Sequence, residues 1–184
     1  SRWLTAGSML LSLALSTAAL VAYDPAGERF QLLAQADWIA GLKVQYLLGV
    51  DGLSVLFLSA TALLFLGSLV AAWNRDVGDS RLYFSLLLAL QSATLGIFCA
   101  LDLVLFFVFW ELTLLPIYFL ISRWAVTDGG PAAATRYFLI MLAGGLPLLI
   151  AFVIAGAGGS GFVLVALIAD PLPEGRQTVF FLLC

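Results

Sequence analysis

Long apolar runs separated by short polar breaks dominate this chain of 184 residues. Five of the runs are long enough to cross a bilayer, since about 20 helical residues span a hydrocarbon core of roughly 30 Å. They cover residues 3–23, 53–73, 82–101, 103–122 and 137–157, and a further one starts at 178 and is cut short. The run 162–169 is too short to cross and is expected at the interface or in a loop. Asp51-Gly52-Leu53-Ser54 reads as a helix start with Asp51 as its cap. Asp102 separates the third and fourth runs with almost no loop. That predicts a tight antiparallel helix hairpin, with Asp102 available to cap its second helix. Asp128-Gly129-Gly130-Pro131 is a turn, and Pro171-Leu172-Pro173 breaks the chain before the last run. The predicted fold class is all-α and integral to the membrane. It is a polytopic bundle of five complete spans plus a truncated sixth, in one transmembrane domain over 1–184.

Composition strengthens this picture. The chain is 63% hydrophobic and 10% charged, with a mean hydropathy of +1.11, whereas a soluble domain carries about a quarter charged residues. Histidine is absent, and Cys99 and Cys184 lie in unrelated apolar segments. Haem ligation by histidine, an iron–sulfur cluster and a zinc site built from this chain alone are therefore excluded. The net charge of −3 comes without a basic run, which argues against nucleic acid as a partner. The start at Ser1 and the stop inside Val179-Phe180-Phe181-Leu182-Leu183-Cys184 read as an internal fragment. Arg2, the apolar run and the small residues near Ala22 also fit a signal peptide. The 21-residue run is long for one, however, and further spans follow.

Arginine and lysine placement gives an orientation. Five crossings put Arg2, Arg75, Arg81, Arg123 and Arg136 on one side, and Arg29, Lys43 and Arg176 on the other with Asp24, Glu28, Asp37, Asp170 and Glu174. The first side is expected to be cytoplasmic. Trp3, Trp73 and Trp124 at the span ends fit an interfacial aromatic belt.

One residue breaks the apolar pattern. Glu111 lies near the middle of the 20-residue stretch 103–122, which is otherwise without charge. A carboxylate there costs about 2.5–3.5 kcal/mol on insertion scales, and such residues mark ion or proton paths. Pro116 has no N–H for the Leu112 carbonyl, so the helix can kink and admit water near the acid. At helical spacing the face of Glu111 holds Val104, Phe107, Leu114, Leu115 and Tyr118, which is apolar apart from one phenol. A carboxyl whose charge follows a neighbouring cation suits a proton relay. The structural alternative is a static ion pair that fixes helix packing.

Other candidates carry less. Arg136 either reaches Glu111 through water or snorkels to headgroups, and snorkelling is preferred. Gly144-Gly145-Leu146-Pro147 reads as a packing kink rather than a site. Gln91, Ser92 and Thr94 extend a hydrated path or bond between helices. Trp110 packs on the acid or fills space. Gly156-Ala157-Gly158-Gly159-Ser160-Gly161 matches GxGxxG by letter, but a dinucleotide fingerprint follows a strand, opens a helix and needs an acid about 20 residues on. It reads as a flexible turn.

The block Phe109-Trp110-Glu111-Leu112-Thr113-Leu114-Leu115-Pro116-Ile117-Tyr118-Phe119-Leu120-Ile121 resembles the antiporter-like membrane subunits of complex I. The similarity is to the chain M type, called chain 4 in cyanobacteria and plastids. Leu48-Gly49-Val50-Asp51-Gly52-Leu53-Ser54, Asp102-Leu103-Val104-Leu105-Phe106-Phe107 and Ala133-Ala134-Thr135-Arg136-Tyr137-Phe138 agree in order. The resemblance covers about residues 47 to 155. It implies that the spans correspond to helices two to six, and that Glu111 is the acid of helix five. It also implies pairing of Glu111 with a lysine of helix seven, which is only begun here. Arg136, where the family often has lysine, Thr113 and the Gly144-Gly145-Leu146-Pro147 kink depart from its usual pattern.

The resemblance implies a proton-translocating subunit of an NAD(P)H or ferredoxin:quinone oxidoreductase, in a bacterial inner membrane or a cyanobacterial thylakoid. The expected site residues are Glu111, with Pro116 in support. No cofactor is expected in this chain. Flavin, iron–sulfur clusters and quinone are expected in partner subunits, and the other partners are membrane subunits and lipid. The rivals are an Mrp-type sodium/proton antiporter or membrane-bound hydrogenase subunit, a carbon-dioxide-hydrating variant, and a purely structural membrane subunit.

Overall fold

The computed structural model describes residues 2–74, 77–126, 128–156, 161–170 and 173–183. Five helices are long and apolar enough to cross a membrane: α1 (Arg2–Ala22), α2 (Gly52–Ala72), α3 (Ser80–Cys99), α4 (Leu103–Trp124) and α5 (Gly130–Gly156). Two shorter helices follow, α6 (Leu164–Ala169) and α7 (Glu174–Leu183). Consecutive long helices pack side by side, α1 also touches α3, and α7 lies on α5. The fold is thus the expected polytopic helix bundle, with one addition. Strands β1 (Gln31–Ile39) and β2 (Val44–Val50) form an antiparallel hairpin between α1 and α2, which the apolar pattern does not announce.

Capping sets several helix starts. Asp51 accepts from the Ser54 N–H at 2.7 Å and opens α2, and Asp102 opens α4. Asp79 does the same for α3 through the Leu82 N–H, so this helix begins two residues before its apolar run. Pro131 lies in the first turn of α5, where its fixed φ suits a helix and its missing N–H loses nothing. Partial burial works upward on the Asp51 carboxyl. The Ser54 N–H and hydroxyl, the Leu53 N–H and the Arg29 charge outweigh it and hold the group below its ordinary value. A depressed value stabilises the fold above the ordinary carboxylate range and ceases to do so as pH falls through it. We therefore expect first-turn exchange protection in α2 to fall below about pH 4, and Asp51→Asn to remove that dependence. An unchanged pH response in the variant would contradict the assignment.

Two clusters hold the α1–α3 layer together. Met9, Leu69, Ala72, Phe84 and Leu87 form the first, and Val50, Val55 and Leu58 the second. The second includes the end of β2, so the hairpin is tied to the bundle by burial. Outward residues such as Leu64 and Ile140 remain exposed. At one end Trp3 meets Trp73 edge-on at 5.1 Å, and Trp124 meets Tyr83 at 5.2 Å. Trp124 also donates to the Val77 carbonyl at 2.7 Å. This is the end that carries Arg2, Arg81, Arg123 and Arg136; Arg75 lies outside the described residues.

At the opposite end, residues 100–103 tie three pieces of chain together. The Leu101 N–H donates to Leu47 O at 2.9 Å, and Leu103 N–H to Phe162 O at 2.9 Å. Leu164 N–H returns to Leu101 O at 2.8 Å. Asp102 is 1% exposed and accepts from Gln45 N–H at 3.1 Å, Val104 N–H at 2.9 Å and Leu105 N–H at 3.2 Å. One carboxylate therefore caps α4 and fastens the hairpin to it. The Gly156–Gly161 segment falls largely on residues 157–160, outside those described; its flanks are the end of α5 at Gly156 and Gly161 at φ +73°.

Candidate functional site

Glu111 projects from α4 toward α5. Its Oε1 is buried and has no hydrogen-bond partner among the described residues. The helices run antiparallel here. Tyr118 meets Phe138 at 5.8 Å on one side of the acid, and Phe106 meets Phe152 at 6.0 Å on the other. On α5 both contacts lie about two turns from Gly145, roughly 10 Å at 1.5 Å per residue, and on α4 Phe106 is closer to the acid, at roughly 7.5 Å. Between them the carboxyl rests against Gly145, with the Phe107 ring beside it. A Cβ at position 145 would collide with Oε1. The acid therefore sits in a notch of the α4–α5 seam, formed at Gly145 beside the Phe107 ring.

The other residues singled out in the sequence divide clearly. Pro116 is buried inside α4, which continues unbroken from Leu103 to Trp124, so the proline removes one hydrogen bond without ending the helix. Trp110 stacks on Phe106 at 6.3 Å, along its own helix. Thr113 donates back to the Trp110 carbonyl at 2.7 Å. Arg136 is exposed near the start of α5, nine residues and roughly 13 Å of helix from Gly145. That leaves the arginine at the helix end rather than beside the acid.

The polar residues of α3 behave unequally. Ser92 donates to Leu88 O at 2.9 Å and Thr94 to Leu90 O at 2.8 Å, both within their own helix. Gln91 is 2% exposed, and both its amide atoms are buried without a partner among the described residues. Such an amide costs about 1–3 kcal/mol. Gln91→Leu, of similar volume, is expected to leave thermal stability unchanged or raise it by up to about 2 kcal/mol. A clear loss of stability would show instead that the amide is held, for example by bound water.

Sequence reasoning missed Gly145 as part of the site. The signal was present in its pair of glycines, but not the identity of the side chain that fills the gap.

Residues 100–176 match the family described as "NADH:quinone oxidoreductase/Mrp antiporter, TM". The chain is 38% identical over 154 residues to NAD(P)H-quinone oxidoreductase chain 4 2 of Thermosynechococcus vestitus, covering 82% of this chain and 28% of that relative. The corresponding chain 4 3 of Trichormus variabilis is 36% identical over 186 residues, covering 98% and 34%. The chain belongs to the NADH:quinone oxidoreductase/Mrp antiporter membrane family. It is a multi-pass membrane segment that spans about a third of the length of these curated relatives. Among solved structures it superposes on a chain of respiratory complex I from Thermus thermophilus with TM-score 0.86 and 31% identity. That match covers 100% of this chain and 38% of the other. The Mrp complex from Dietzia gives TM-score 0.77 and 25% identity, covering 99% and 20%. In this structure the geometry places an acid, without a cation partner among the described residues, near the middle of α4 and against α5.

Proposed function

We propose that this chain is part of a proton-translocating membrane subunit of an NAD(P)H or ferredoxin:quinone oxidoreductase, with Glu111 as a proton-carrying group. The observation that carries the reading is the Glu111 carboxyl, seated without a hydrogen-bond partner for Oε1 inside the α4–α5 seam. An acid in that position is costly to keep charged and cheap to switch. Its occupancy by a proton follows the charges it faces. Redox chemistry in partner subunits, which would hold the flavin, iron–sulfur clusters and quinone, would act by changing those charges between two states. Pro116 supports the acid by leaving the Leu112 carbonyl free within the same helix. A cation on a neighbouring helix would complete the switch.

A subunit of an Mrp-type sodium/proton antiporter is the second reading, favoured by the likeness to the Dietzia complex. The higher identity and TM-score against complex I support the first. The test is simultaneous donor-to-quinone electron transfer and proton uptake in vesicles that carry the intact complex with Glu111→Gln. Loss of proton uptake in an assembled complex supports the proposal. Two rates near wild type would make the acid a structural group.

A further inference from the structure

Two adjacent glycines of α5 have opposite surroundings. Gly144 is exposed, and a Cβ there would meet nothing within 4 Å. Gly145 is buried. A Cβ there would collide with Glu111 Oε1 and lie 3.5 Å from the carboxyl carbon and 3.6 Å from the Phe107 ring. These nearest atoms are all side-chain atoms, chiefly of the acid, and none belongs to the backbone of α4. At Gly130, by contrast, the near atoms include the Ile121 carbonyl of α4. Close approach of two helix backbones therefore does not explain the gap at 145; occupation by a carboxyl does. The oxygen that fills it is the one buried without a partner. Alanine is the better helix former at both positions, so the helix alone has no need of glycine at either.

We infer that Gly145 is a positioning residue for Glu111: the missing side chain is the seat of the carboxyl, and residue 145 decides whether the acid stays in the seam between α4 and α5. The inference rests on the reading of Glu111 as a proton-translocating group and extends it to a second helix. Adding one methyl at 145 must displace the carboxyl along the seam or out toward lipid. The same methyl at 144 enters open space. Displacements of about 1 Å at a reacting group are enough to change rates by up to about a hundredfold.

The experiment compares Gly145→Ala, Gly144→Ala and Glu111→Gln in the intact complex in vesicles. The readouts are protons moved per electron and the rate at which dicyclohexylcarbodiimide modifies Glu111, followed by peptide mass. Gly145→Ala is expected to lower proton transport by about tenfold and to raise the labelling rate severalfold, while Gly144→Ala stays within twofold on both. Should Gly145→Ala fail to assemble, the double variant Gly145→Ala with Glu111→Asp is the decisive one. The shorter acid withdraws from the added methyl and is expected to restore assembly; failure to restore it overturns the inference. If Gly145→Ala matches Gly144→Ala while Glu111→Gln stops transport, the seat is wrong and the acid's role stands. If Glu111→Gln leaves transport intact, the reading beneath the inference fails and the inference falls with it.

Discussion

Glu111→Gln is expected to reduce proton translocation by about tenfold or more, since a positioned proton-transfer group typically contributes at least a hundredfold. Assembly should be preserved. The amide keeps the shape of the acid and, with Oε1 unpartnered in the seam, breaks no hydrogen bond of that oxygen to the described residues. Removing the charge also lowers the cost of inserting α4. Glu111→Asp tests geometry rather than charge. It retains a proton-carrying group but draws it back from Gly145, and an intermediate rate is expected. Proton uptake in vesicles, normalised to electron transfer and to the amount of assembled complex, measures both. Equal transport by all three proteins would assign Glu111 to packing alone.

Asp102→Ala is expected to cost about 2–5 kcal/mol, the largest stability loss among the substitutions considered. Three backbone donors, on Gln45, Val104 and Leu105, lose their common acceptor. The site is almost completely buried, so water replaces that acceptor only if the structure opens. Loss of a helix cap alone accounts for about 1 kcal/mol, and each buried donor left unpaired adds about 1–3 kcal/mol. The effect should be localised first at the hairpin. Amide exchange at Gln45 is expected to accelerate before that of the α1–α3 cluster around Met9 and Phe84, because the hairpin is otherwise held there by the Leu101–Leu47 bond and the burial of Val50. Denaturant titration of the assembled complex gives the global figure. Unchanged protection at Gln45 would contradict the role assigned to the carboxylate.

The membrane architecture was legible because lipid imposes one rule on every span, a run of apolar residues long enough to cross. Asp51 and Asp102 were legible as caps for a related reason: each stands alone against the start of an apolar run. Asp79 carries the same chemistry, but Ser80 and Arg81 separate it from the run, so the pattern places the helix start too late. The start of α5 is displaced likewise. Residues 130–136 are small or polar and still helical, because Pro131 and three alanines favour a first turn without any apolar stripe.

The hairpin was not legible. β1 is exposed along almost its whole length, so it shows no alternation of buried and exposed positions. Its special backbone angles fall on Leu32 and Lys43 rather than on glycine. Its place is set by bonds to Leu101 and Asp102, the Gln45–Asp102 bond joining residues 57 apart in the chain. The site divides in the same way. Glu111 stands out as a candidate, since a lone acid in a 20-residue apolar run is costly to insert. Gly145 does not, because a gap between helices is a property of their register. The glycine pair at 144 and 145 says that something can come close, and only the packing of α4 on α5 says what does.

The most direct test of the central claim is a redox-triggered infrared difference spectrum of the intact complex in its membrane, recorded for wild type and for Glu111→Gln. If Glu111 takes up and releases a proton during turnover, the wild type shows a carboxyl C=O band that shifts in D2O and is missing from the variant. A wild-type spectrum with no carboxyl band, or one that the variant retains in full, would contradict the account and leave Glu111 as a static element of the helix seam.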